Sequence, residues 1–125
     1  MKKEIVHTES APKAIGPYAQ AIAIDGLVFT SGQLGVDVTV GKLAEGVEAQ
    51  ARCAMKNLGA VLAAKGLSYD SIVKTTVFVK DLADFAKVNA IYGEYFQNGY
   101  PARSCVQVAA LPMGGLVEIE CVAVR

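Results

Sequence analysis

Two kinds of ionisable side chain stand inside apolar, strand-forming runs near the C-terminal end of the chain. Arg103 lies in the run Ala102–Val108, and Glu118 and Glu120 lie in Leu116–Val124. Between the runs, Leu111-Pro-Met-Gly-Gly115 reads as a loop. Alternation puts Arg103, Cys105 and Gln107 on one face of the first strand, and Glu118 and Glu120 on one face of the second, opposite Val117, Ile119 and Cys121. Burying an unpaired guanidinium or carboxylate is costly. These groups therefore either form a structural ion pair or face a solvated pocket. In a pocket, a guanidinium can grip a carboxylate with two parallel hydrogen bonds. A partly desolvated Glu has a raised pKa, which suits proton transfer near neutral pH.

The remaining side chains narrow the chemistry. His7 is the only histidine, which removes a Ser–His triad and His-based metal sites. Three cysteines without CxxC spacing suit free thiols in a reducing compartment, and the cytoplasm is the expected location. Cys105 shares a face with Arg103, where a thiolate would be reactive. With no second histidine to activate it, a small thiol lining the pocket is the preferred reading. Ser31-Gly-Gln-Leu-Gly35 lacks the Lys and the spacing of a phosphate loop. Twelve Lys plus Arg balance twelve Asp plus Glu, which argues against a nucleic-acid or anionic-membrane partner. No apolar run approaches a membrane span, and no signal peptide is visible.

The elements that must position these groups fit one domain over residues 1–125. Ile5-Val6 starts a short strand, and Glu9–Pro17 is a loop. Gln20–Asp25 and Leu27–Thr30 are two strands joined at Asp25-Gly26. Gly35–Leu43 reads as a loop. Glu45–Lys65 is a helix with Val47, Ala51, Ala54, Leu58, Val61 and Leu62 as its apolar stripe. Ser71–Lys80 is a strand. Asp81 caps a second helix running through Phe96, whose buried stripe is Phe85, Val88, Tyr92 and Tyr95 or Phe96. Two helices then cover one face of a sheet, and the other face is apolar too, since both parities of Gln20–Thr30 and Leu116–Val124 carry apolar residues. An exposed face of that kind predicts self-association.

Several blocks carry a family resemblance. Pro101-Ala-Arg-Ser-Cys-Val-Gln-Val, then Leu111-Pro and Leu116-Val-Glu-Ile-Glu120, resembles the C-terminal signature of the RidA/YjgF family of imine and enamine deaminases. Ala14-Ile-Gly-Pro-Tyr-Ala-Gln20, Val28-Phe-Thr-Ser-Gly-Gln33, Thr76-Val-Phe-Val79, Asp81-Leu-Ala-Asp-Phe85 and Asn89-Ala-Ile-Tyr92 match in order and spacing. The resemblance implies an α+β, chorismate-mutase-like fold: a mixed six-stranded sheet with two helices on one face, assembled as a homotrimer with sites between subunits.

It also implies the reaction. A 2-imino acid, or its enamine tautomer, is hydrolysed to a 2-keto acid and ammonia, with no metal or organic cofactor. Arg103 aligns with the family's carboxylate-binding position and Glu118 with its water-activating one, near the guanidinium on the neighbouring strand. Glu120 is the competitor by parity. Tyr18 and Ser31 either bond substrate or serve a turn and a strand end. Gly32 and Cys105 offer backbone donors, and Asn89 aligns with a site-lining position. Many relatives carry Pro at Gly35 and Val38, so this loop departs from the pattern and bears on side-chain preference. Two other functions compete. One is a regulatory trimer that binds a small carboxylate without turnover. The other is the translation inhibition or endoribonuclease activity described for some relatives. Relatives thought not to deaminate lack the Arg; this chain has both Arg103 and Glu118.

Overall fold

The computed structural model describes residues 2–125. β1 (Glu4–Val6), β2 (Ala21–Ile24) and β3 (Leu27–Thr30) form an antiparallel meander. Asp25 and Gly26 both have positive φ (47° and 80°), the primed turn that matches the strands' twist. Two-residue strands follow: β4 (Gln33–Leu34), then β5 (Val36–Asp37) and β6 (Lys42–Leu43), which pair as a hairpin. Helix α1 (Val47–Ala63) leads to β7 (Ile72–Val79), α2 (Phe85–Gly93), β8 (Ala102–Gln107) and β9 (Val117–Val124).

The sheet runs β1-β2-β3-β9-β7-β8, with β4 also paired to β9. Only β7–β8 is parallel, so the sheet is mixed, with α2 lying between its two parallel strands in the chain. The expected six strands gain a seventh in β4, and the expected loop over 35–43 is the β5–β6 hairpin. Two-residue strands are too short to show a period, and Gly35 and Gly41 hide them further.

Both helices lie on one face. All six predicted stripe residues of α1 are buried, together with Met55, against Val117, Ile119, Cys121 and Ala123 of β9. The α2 reading needs correction. The helix stops at Gly93 rather than Phe96, and a short 3-10 turn, Leu82–Asp84, precedes it. Asp81 caps that turn, accepting the Ala83 N–H at 2.9 Å. Ile91 is buried and Phe85 is exposed, because Phe85 covers Arg103 instead of the core. Three amides on or near the core do the polar stitching. Gln50 donates to Ala44 O (3.0 Å) and accepts the Leu116 N–H (2.8 Å). Asn57 donates to the carbonyls of Leu34 and Val36 at 3.2 and 2.9 Å. Gln20 holds the 8–12 loop through Thr8 and Pro12.

The opposite face is open and carries Ile22, Phe29, Val122, Val124, Phe78 and Val106, as the strand registers require. Phe29, Val106 and Val124 are each more than 40% exposed. No helix is long and apolar enough to cross a membrane among the described residues.

Candidate functional site

Arg103 sits on β8, the edge strand. It pairs with Thr75 on β7, which pairs with Cys121 on β9, so its side chain shares the helix-covered face. One guanidinium nitrogen donates to Asn89 Oδ1 of α2 at 2.7 Å. The guanidinium carbon lies 4.9 Å from the Tyr92 ring centre and 5.5 Å from that of Phe85. Each such contact contributes about 0.5–1 kcal/mol at exposed sites and fixes the plane of the fork. Tyr92 is held in turn by a 2.6 Å hydrogen bond between its hydroxyl and Thr75. Among the described residues no carboxylate pairs with Arg103. The structural ion pair that residue types alone allow is therefore not formed. One of five N–H donors is bonded to a side chain; a fork so oriented can grip a planar anion.

Cys105 lies two residues along the same face. Burial pushes its thiol up, against the opposing influence of Arg103, so it stays protonated and a nucleophilic role loses its basis.

Glu118 is built into the other half. Between Phe29↔Val122 and Gln33↔Ile119, the β3–β4 side advances four residues while β9 advances three. One extra residue bulges out at 30–32, and bulges commonly re-aim side chains next to active sites. Thr30 Oγ1 repairs the broken ladder by accepting the Cys121 N–H at 3.0 Å. Gly32 lies against the Glu118 carboxyl: a Cβ there would meet Glu118 Cδ at 2.8 Å and Oε2 at 3.0 Å. Only glycine leaves the carboxyl its place. Burial, reinforced by the nearby Glu120 charge, raises the Glu118 pKa above its ordinary 4.5. That is the direction a proton shuttle needs.

Glu118 opens into a cavity of about 800 Å³ that also exposes Tyr18, Ser31, Gly32 and Glu120. The Ser31 hydroxyl donates to Ala19 O at 2.6 Å, so it serves the strand end and can still accept. Tyr18 OH accepts the Ile15 N–H at 3.4 Å, which leaves its own proton to give. His7 does not line the cavity, but its ring bonds Glu9, which does. Lys13 is the only Lys or Arg lining this cavity, against Glu9, Glu118 and Glu120.

The structure thus gathers Tyr18, Ser31, Gly32 and Glu118 in one place and Asn89, Arg103 and Cys105 in another. The expectation that Arg103 and Glu118 meet across neighbouring strands fails within one chain. β7 lies between β8 and β9, and Glu118 pairs with Phe78 and through it with Val106, on the open face opposite Arg103. Sequence reading also missed Gln50, Thr75 and the Arg-facing roles of Phe85 and Tyr92. An amide at position 50, one turn from Val47 and Ala54 of the α1 stripe, was the available signal for Gln50.

A model described as endoribonuclease L-PSP, the RidA/YjgF family, matches residues 8–125. The chain belongs to the RidA/YjgF family. Among curated RidA/YjgF relatives, 2-iminobutanoate/2-iminopropanoate deaminase of Salmonella typhimurium is 53% identical, covering 100% of this chain and 99% of that one. Reactive Intermediate Deaminase A, chloroplastic, of Arabidopsis thaliana is also 53% identical, over 98% of this chain and 66% of its own length. The crystal structure of E. coli TdcF with bound serine superimposes with a TM-score of 0.94 at 47% identity, covering 98% of each chain. The α+β fold, with two helices on a mixed sheet, is that of the RidA/YjgF family.

Proposed function

We propose that this chain is a cofactor-independent imine/enamine deaminase, of the 2-iminobutanoate/2-iminopropanoate type, working as a cytoplasmic homotrimer with each site in a seam between two copies. The observation that carries the proposal is the oriented, acid-free Arg103 on the face opposite Glu118. Each chain holds two half-sites, and the cavity around Glu118 is short of cations. A substrate carboxylate entering it needs a guanidinium from elsewhere, and a second copy's Arg103 supplies one. The open apolar face supplies the contact, because a face of this kind is stable only when covered. The names of the relatives, and the amino acid bound to TdcF, support a small amino-acid-derived substrate. The three unpaired cysteines fit a reducing compartment.

In this reading Arg103 clamps the carboxylate, and backbone N–H groups at Gly32 and Cys105 add donors. Glu118 takes a proton from a water as its oxygen bonds to the iminium carbon. The carboxyl then passes that proton to the nitrogen of the tetrahedral adduct. Glu118, ionised again, takes the hydroxyl proton of the adduct as the C–N bond breaks, the carbonyl forms and ammonia leaves. It then hands that proton to the ammonia, so iminium plus water gives keto acid plus ammonium. Tyr18 and Ser31 hold the water or the leaving nitrogen. The endoribonuclease in the family description has little support here, since three carboxylates and one Lys line the cavity and would repel a phosphate backbone.

The test generates imine in situ with an amino-acid oxidase and follows keto-acid release. Arg103→Ala is expected to abolish acceleration, and Glu118→Gln to lower it about 10²–10⁴-fold. Co-refolding the two variants in equal amounts should restore about a quarter of parent activity, because each seam needs one intact residue from either side. No recovery would place both residues in one chain's site, and an inactive parent would remove the deaminase reading.

A further inference from the structure

Away from its carboxyl, the cavity at Glu118 changes character. Ile15, Val38 and Met113 line it and are 71%, 42% and 55% exposed, with Leu34, Val36 and Pro112 alongside. Large apolar side chains left bare around one opening are informative where single ones are not. They come from three separate segments: the 9–17 loop, the β5–β6 hairpin and the 111–115 loop. In the single chain the pocket, near 800 Å³, has room for more than a three- or four-carbon acid.

The hairpin wall and the 111–115 wall are fixed. Met113 has φ 61°, a backbone conformation that bulky residues rarely adopt. The loop that imposes it is locked. Gly115 packs so tightly on Leu34 that a Cβ would meet Leu34 Cδ2 at 2.9 Å, and the next N–H, of Leu116, is held by Gln50. The same Gln50 sets the opposite wall. Gly35 lies against the Gln50 backbone, where a Cβ would collide with Gln50 Cα, and the Gln50 side-chain amide donates to Ala44 O. Asn57 then bonds the carbonyls on both sides of Gly35. One buried face of α1 thus positions both the Val38 hairpin and the Met113 loop.

We propose that Ile15, Val38 and Met113 form a side-chain subsite that selects imino acids with branched or long apolar side chains. This rests on the deaminase reading and extends it to a substrate class. Gly35 and Val38 shape the hairpin wall of that subsite. Bound with its reactive carbon beside Glu118, a substrate's fourth and later carbons would cover apolar surface that the single chain leaves bare.

The experiment compares kcat/KM for imines generated from leucine, alanine and glutamate. The parent should process the leucine-derived imine at least as well as the alanine-derived one, and the glutamate-derived imine poorly. Met113→Asn tolerates the same backbone while making the wall polar, and Val38→Asn does so on the hairpin. Each should lower the leucine-derived rate about tenfold and leave the alanine-derived rate within about twofold. Met113→Leu should restore the parent ratio. Equal losses on both imines, no change in either, or a parent preference for the glutamate-derived imine (which would point to Lys13) would overturn the subsite and leave the deaminase reading standing. A parent that accelerates none of the three would overturn both.

Discussion

On the helix-covered face, Arg103 is presented by a finished piece of architecture. Phe85 and Tyr92 bracket its plane, Asn89 occupies one nitrogen, and Thr75 fixes Tyr92 beneath it. On the open face, Glu118 has a bulge and a glycine that give it room, and its pKa is raised by burial and then by a second carboxylate nearby. One half is built to keep a cation pointed outward without an anion. The other is built to hold an anion poorly. Neither half makes chemical sense alone, and the sheet keeps them from meeting within a chain. The difference is what the proposed function turns on: under it, a second copy completes the site rather than merely adding mass.

The largest test of that contrast is to prevent the open face from being covered. Phe29→Asp puts a charge amid Ile22 and Val122, where burial would be costly. Sedimentation should show the mass fall from three times 13.1 kDa to one, and deamination should fall at least a hundredfold, on the order of losing a positioned group. A trimer that persists, or an active monomer, would dissolve the two-half picture.

A smaller effect is expected on the covered face. Asn89→Ala removes the one side-chain hydrogen bond of Arg103. KM should rise about tenfold with kcat within about twofold, the signature of weakened carboxylate binding rather than of lost proton transfer. A matching fall in kcat with unchanged KM would assign Asn89 to the reacting atoms instead.

The smallest effect is a stability change with a definite sign. Glu118 has a raised pKa in the folded chain, so that chain binds its proton more tightly than the unfolded one. The stability this group contributes therefore declines as pH rises above 4.5. In the monomeric Phe29→Asp background, adding Glu118→Gln should raise the melting temperature at pH 7 and change nothing near pH 4. The gain is expected to be about 1 kcal/mol or less, given the half-exposed position. In the assembled protein, with a second copy's guanidinium close by, the gain should disappear. A Gln variant that melts lower than its background at pH 7 would reverse the argument for the open face.

The long elements were legible in the sequence because burial imposes periodicity. The stripe of α1, the alternation of β9 and the Asp25-Gly26 turn all follow from local rules. What escaped was either too short or non-local. β4 and β5 have two residues each, and their pairing depends on β9 and on the hairpin's return strand. The inward or outward direction of Phe85 depends on an arginine 18 positions away. Parity placed Glu118 and Arg103 correctly within their own strands. It could not relate one strand's face to the other's, since that requires knowing that β7 inserts between them. The ordered motifs supplied the reaction, and the register put Arg103 and Glu118 on opposite faces of one sheet.

Gly32 has an evolutionary corollary. Its missing side chain leaves space for the Glu118 carboxyl, and a single nucleotide change in a glycine codon yields alanine. The added methyl would displace that carboxyl while leaving the core and both helices untouched. A lineage could thus trade turnover for simple ligand capture in one mutational step, keeping its fold intact.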